Sequence, residues 1–129
     1  MTDKLELYFK AAQSAKIGIW KMNLLTNHFF WDAVTKCILE VSDDFEPSLS
    51  SAINFYTEGE NRDRIKSHMN AAISKGIPFD DKFQITTTKN TIKYIECICQ
   101  VEMIDRKPIH LLGTFQDITN EQSLINELQ

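Results

Sequence analysis

Gly113-Thr114-Phe115-Gln116-Asp117-Ile118-Thr119-Asn120-Glu121 is the stretch in which a strand hands the chain over to a helix. Leading into it, Ile109, Leu111, Gly113 and Phe115 alternate with His110, Thr114 and Gln116, the period of a half-buried strand. Beyond it, Thr119 and Gln122 have capping-box spacing, in which the hydroxyl takes an orphan amide and the Gln side chain reaches back. A strand coupled this way to an exiting helix can pass an internal change to whatever the helix joins. The strand is expected to close the sheet as its outermost member.

The rest of the chain is compatible with one domain. It has 129 residues, and at that size folding removes roughly two thirds of the unfolded surface from water, enough for a core without staples. Hydrophobic residues make up 43% and charged residues 25%, as in ordinary globular proteins. A net charge of −4 argues against a nucleic-acid surface, which carries a basic stripe. No apolar run approaches the ~20 residues of a membrane span, and no secretory leader opens the chain. The three cysteines lack disulfide-framework spacing, which points to a reducing, cytoplasmic setting. The helical pattern still runs at Leu128-Gln129 without a terminating glycine, so the chain is expected to be a piece of a longer polypeptide.

Moving outward from the closing strand, the order of elements is legible. Asp3 and Glu6 signal a helix start, with Leu5, Tyr8, Phe9, Ala12 and Ala15 at helical spacing and Gly18 as the stop. Residues 19–24 alternate as a strand, Thr26-Asn27 turns, and His28-Phe29-Phe30-Trp31 pairs back. Asp32 caps a helix with Val34, Cys37, Ile38 and Val41 on its apolar stripe. Short helical pieces surround Leu49, Ile53 and Phe55. The longest helix runs over residues 61–75, with Ile65, Met69, Ala72 and Ile73 facing inward and Gly76 as its stop. Two further strands follow. Phe79, Asp81, Phe83 and Ile85 share a face of one, and Ile95, Cys97, Cys99, Val101 and Met103 share a face of the next. The pattern predicts an α+β domain: a five-stranded antiparallel sheet with helices on one face, flanked by N- and C-terminal helices.

Gly113-Thr114-Phe115-Gln116-Asp117-Ile118-Thr119 resembles the closing motif of PAS domains, sensory modules of bacterial signalling proteins. Gly18-Ile19-Trp20 with Trp31, Asn61-Arg62-Asp63-Arg64-Ile65, and Lys75-Gly76-Ile77-Pro78-Phe79-Asp80 resemble, in order, the opening hairpin, the entry to the central helix and the step into the third strand of the subtype common in histidine kinases. The usual Asp-Gly turn is Lys89-Asn90 here, and the usual tryptophan after it is Tyr94. The resemblance divides the chain into an N-terminal helix (1–16), a PAS core (17–119) and the start of an exit helix (120–129).

The sheet and helices of such domains often enclose a ligand pocket. By alternation its wall here would be Ile85, Ile95, Cys97, Cys99, Leu111 and Phe115. Burying such side chains contributes roughly 1.5–3 kcal/mol each, so packing alone would account for them. Flavin is not expected. The reactive Gly-x-Asn-Cys-Arg motif of photosensory relatives is missing, and the amides that hold their flavin ring correspond to Ile85, Ile95 and Phe115. Their unpaired polar edges would cost a few kcal/mol in an apolar site. Haem-binding relatives use a histidine in the central helix, where His68 stands, but haem also requires propionate partners and a roomy pocket. No cofactor is predicted. Cys97 and Cys99 have no matching Cys/His pair for zinc, and no metal is predicted. Asp63, Asp80, Asp81 and Asp105 read as solvated charges. There is no phosphate loop or nucleophile motif, so no catalytic residue is assigned.

Asp117 and Thr119 are the candidate signal relay. The resemblance implies a sensor, in a two-component histidine kinase, that passes a ligand- or partner-induced change to a linked output domain. The apolar stripe of the N-terminal helix points to a homodimer formed through it, and the net charge and the lack of a membrane-length apolar run imply no nucleic-acid or membrane partner for this segment. A ligand-free interaction module in a kinase or cyclic-dinucleotide synthase is the alternative. A small cone-shaped α+β enzyme is a third possibility, which would place three helices before a long curved sheet.

Overall fold

The structure is a computed structural model that describes residues 3–128. Of the expected N-terminal stripe, the side chains of Leu5 and Phe9 lie outside the described residues, as does Gln129. The elements in order are α1 (Lys4–Ser14), β1 (Ile17–Asn23), β2 (His28–Trp31), α2 (Ala33–Leu39), α3 (Leu49–Phe55), α4 (Glu60–Lys75), β3 (Phe79–Thr86), β4 (Ile92–Ile104), β5 (Lys107–Asp117) and α5 (Thr119–Glu127). Because the β1–β2 hairpin precedes α2, α3 and α4, the cone-shaped enzyme architecture is ruled out. Among the described residues no helix is long and apolar enough to cross a membrane.

Local chemistry accounts for the ends of these elements. The Asp32 carboxylate accepts from the Thr35 amide at 2.9 Å, a cap worth about 1 kcal/mol. Ser48 and Ser51 form a reciprocal capping box on α3. The left-handed Gly76 ends α4, with the Ile77 amide returning to the Ala71 carbonyl. Asp105 and Arg106 both take positive φ, 50° and 66°, the geometry a two-residue hairpin turn needs.

All strand pairs are antiparallel, in the order β2-β1-β5-β4-β3. The closing strand is therefore the centre of the sheet and not its outermost member. Side-chain alternation reports which faces are buried and says nothing about which edges are paired. Gly113 marks the central position: Trp20 on β1 and Cys99 on β4 both stand opposite it. A Cβ there would lie 1.7 Å from the Ile98 carbonyl oxygen. Gly18 does not stop α1, which ends at Ser14 and is followed by Lys16 at φ 57°. It lies within β1, where a Cβ would come 2.1 Å from the Thr35 hydroxyl, so its absence of a side chain lets α2 approach the sheet.

The helices lie on one face. Trp20, Met22, Phe29, Trp31, Phe79, Phe83, Ile85, Ile95, Cys97, Cys99, Leu111 and Phe115 meet Ile38, Leu39, Tyr56, Ile65, Met69 and Ala72 in one core. Two stripe assignments change. Cys37 is exposed, its inward place on α2 taken by Thr35 and Leu39. Met103 is also exposed, because a bulge between Glu102 and Met103 shifts the register.

Candidate functional site

The six expected pocket residues form one buried layer. Ile85, Ile95, Cys99 and Leu111 are fully buried, with Cys97 and Phe115 nearly so. Only Cys97 and Phe115 touch the internal cavity, which is otherwise walled largely by aromatic and aliphatic groups including Trp20, Phe29, Trp31, Phe55, Tyr56 and Met69. The aromatic wall was visible in the alternation of Trp20, Phe29 and Trp31, but only as core. The cavity measures about 40 Å³. Drug-sized pockets run to several hundred Å³, and one water needs roughly 10–15 Å³.

The polar content of this cavity is small. The Thr35 hydroxyl is 2.9 Å from the Asp32 carboxylate and 3.3 Å from the Ile19 carbonyl. The buried Trp20 Nε1 makes no hydrogen bond to a nitrogen or oxygen among the described residues. Burial pushes the Cys97 thiol up to about 12, outweighing the neighbouring Tyr56 and Trp20 donors. Burial also pushes Cys99 up to about 12 and Tyr56 well above the usual phenol range. These thiols stay protonated near neutral pH, which removes their nucleophilic character. Among the described residues no three His, Cys, Asp or Glu side chains gather as a metal set.

His68 is committed elsewhere. Its Nε2 sits 3.0 Å from Asp81 Oδ2, and its ring stacks on Phe79 with centroids 4.6 Å apart. It does not line the cavity. The residues here fit neither a haem iron nor a flavin ring: the imidazole faces a carboxylate, and the positions of the flavin amides are the buried Ile85, Ile95 and Phe115.

Asp81 is not a solvated charge. Arg64 Nη1 donates to its Oδ2 at 2.7 Å, beside the His68 contact. The guanidinium carbon lies 4.8 Å from the Phe83 ring centre. Burial alone would raise the Asp81 pKa. Hydrogen bonds from His68, from Arg64 and from the Lys82 amide, with the Arg64 charge, outweigh it and hold the carboxyl below its usual range. Arg64 Nη1 also reaches the Lys82 carbonyl at 3.0 Å, Asn61 Oδ1 accepts from the Gln84 amide at 2.8 Å, and the Thr57 amide donates to the Gln84 carbonyl at 3.1 Å. The start of α4 thus clamps and seals the edge strand β3. The available signal was Arg64 and His68 one turn apart on α4, opposite the inward-facing position of Asp81.

At the exit, Asp117 and Thr119 come together, joined by a residue that the sequence did not single out. Asp117 Oδ1 accepts from the Thr119 amide at 2.9 Å and from its hydroxyl at 2.5 Å. The Thr119 hydroxyl accepts from the Tyr94 amide at 3.1 Å, and the Ile118 amide donates to the Tyr94 carbonyl at 2.8 Å. The expected capping box with Gln122 does not form. Gln122 Nε2 donates to Asn126 at 3.2 Å, and α5 has no side-chain cap, because the threonine hydroxyl is spent on β4. The result is a staple joining the end of β5, the start of β4 and the first turn of α5. Beyond it, α5 leaves Leu124, Ile125 and Leu128 exposed.

A sheet ordered β2-β1-β5-β4-β3 with its helices on one face and a final strand stapled to an exit helix defines the family of folds. The fold is a PAS fold. A sensory box histidine kinase/response regulator from Burkholderia thailandensis superposes with a TM-score of 0.75 at 18% identity, covering 94% of this chain and 91% of that one. The N-terminal domain of a diguanylate cyclase with a PAS/PAC sensor from Marinobacter aquaeolei gives 0.74 at 16% identity, covering 82% and 98%. A PAS domain from Colwellia psychrerythraea gives 0.65 at 18% identity, covering 92% and 99%. No protein-family profile and no curated protein matches the sequence. The likeness to known PAS folds is thus carried by architecture at low identity.

Proposed function

We propose that this PAS fold is a cytoplasmic sensory module of a two-component histidine kinase, with residues 17–119 as its core and the helix from residue 120 leading to a linked output domain. The observation that carries the proposal is the Asp117–Thr119–Tyr94 staple. It ties the central strand to an exit helix that leaves Leu124 and Ile125 exposed. The kinase context is supported by the sensory-box histidine kinase among the similar structures. The domain itself binds and relays, and catalysis belongs to the output domain. A ligand or partner that interacts differently with two arrangements of the sheet would bias the exit helix; one that binds both equally would move nothing. Such a ligand would press against Cys97 and Phe115, with Ile85, Ile95, Cys99 and Leu111 packed in the buried layer around them.

The module works as a homodimer, with α1 supplying the contact. Leu7 and Tyr8 on that helix are 58% and 69% exposed. A monomeric mass in light scattering across micromolar concentrations would overturn this part.

The small cavity favours a second reading, a ligand-free interaction module in a kinase or a cyclic-dinucleotide synthase. Asp117→Asn in the full-length protein tests the relay. Stimulus-dependent phosphorylation should be lost while the fold persists, and an unchanged response would sink the relay in either context. A linked cyclase output would replace the kinase assignment and leave the relay intact.

A further inference from the structure

The face of the sheet away from the helices carries a second site, independent of the sensory proposal. A groove of about 270 Å³ is walled by Lys21, Asn23, His28, Phe30 and His110. The pairing register sets this grouping. Lys21 stands opposite Phe30 on β2, and Asn23 stands opposite both His28 on β2 and His110 on β5. Positions two apart on β1 share a face, so two adjacent rungs place their side chains together.

The groove's polar groups are mostly donors. Asn23 Oδ1 is spent on the Leu25 and Thr26 amides at 2.9 and 3.2 Å, which leaves its NH₂ as the available group. His110 Nδ1 donates to Glu102 Oε1 at 2.8 Å, which leaves Nε2 as an acceptor in the neutral ring. The Lys21 ammonium and the His28 ring have no hydrogen bond or ion pair among the described residues. Glu102 is the nearby carboxylate, and it is already engaged by His110. The Lys21 ammonium, the Asn23 NH₂ and one N–H of the His28 ring are the open donors of the groove, and together they are complementary to an anion. Beside them Phe30 is 48% exposed, a flat apolar surface suited to a ring. The volume is just below that of drug-sized pockets and suits a fragment-sized ligand.

We propose that the groove between β2, β1 and β5 binds a small aromatic anion, its ring lying on Phe30 and its phosphate or carboxylate meeting Lys21, Asn23 and His28. Binding energy for so few atoms in an open groove corresponds to a dissociation constant of roughly 1 mM.

Phenyl phosphate, benzoate, inorganic phosphate and benzyl alcohol, titrated separately into the 129-residue chain and followed by NMR, test this directly. Phenyl phosphate or benzoate should shift the amides of Lys21, Asn23, Phe30 and His110 saturably, and the better of the two identifies the anionic group. Benzyl alcohol should not saturate. Lys21→Gln should weaken the aromatic anion about fivefold, the scale of one solvent-exposed charge contact. Phe30→Ala should weaken the aromatic anion and leave inorganic phosphate unchanged. Added salt should weaken binding to the unmodified protein, a readout that survives if either variant fails to fold. The proposal is overturned if neither aromatic anion shifts these amides, if Lys21→Gln binds as well as the parent, or if the signals move with protein concentration alone, which would mean a second copy covers the face.

Discussion

Two junctions between helix and sheet use the same device, a strand carboxylate hydrogen-bonded to residues of the helix, and they differ in what surrounds it. At the α4–β3 junction, Asp81 is held by two side chains that can carry positive charge, with Phe79 and Phe83 beneath them. At the β5–α5 junction, Asp117 is held by the amide and hydroxyl of Thr119, and the helix beyond leaves its apolar residues bare. The first junction is closed on itself. The second is strong at its root and open at its far end, which is what a transmitting element requires: firm coupling to the sheet and freedom to engage something else.

The sharpest way to break the sheet that carries both junctions is through its central strand. Gly113→Ala places a Cβ against the Ile98 carbonyl oxygen. That neighbour is backbone and cannot rotate away, so a loss of about 3 kcal/mol is expected in denaturant unfolding. Next is Asp81→Ala, expected to cost about 1–2 kcal/mol after solvent screening, since the Arg64 side chain is 35% exposed. A thermal melt would register this as a drop of several degrees, about 4–8 °C per kcal/mol at this scale.

The same carboxylate sets a pH dependence. Its folded-state pKa is depressed, so its contribution is present above the unfolded value of about 3.9 and is lost as pH falls through the lower folded value. Stability of the parent should therefore fall more steeply than that of Asp81→Asn on acidification below about pH 4. Parallel curves would show that the clamp carries no linkage.

Asp117→Asn is expected to cost about 1 kcal/mol and to act locally. Amide exchange at Thr119 and Tyr94 should accelerate, with β3 amides unaffected. Equal acceleration in both regions would erase the distinction between the junctions. The smallest effect is reserved for the open end. Leu124→Ser with Ile125→Ser should change the stability of this chain by no more than about 0.5 kcal/mol, as for surface positions, yet impair output in the full-length protein.

The faces of the strands could be read from the sequence, and their neighbours could not. Alternation placed Phe83, Ile85, Ile95, Cys97, Leu111 and Phe115 inward, where they lie, because a two-residue period is a local property. Asp32 was identified as a cap for the same reason: its partner is three residues away. Thr119 looked like another local cap, but its hydroxyl goes to Tyr94, 25 residues distant. Asp81 looked solvated because its partners lie 13 and 17 residues upstream. Gly18 looked like a helix stop because the sequence gives no sign of Thr35 above it. In each case a non-local contact, which no short window contains, overrode a sound local rule.

The seal on β3 has a consequence for assembly. With the Lys82 carbonyl and both backbone groups of Gln84 occupied, no incoming chain can add a strand along that part of the border without first displacing α4, and the opposite border is the four-residue β2. Copies of this domain can be brought to high concentration without zipping into a continuous ribbon. Their association is steered toward helices and sheet faces, where it remains reversible.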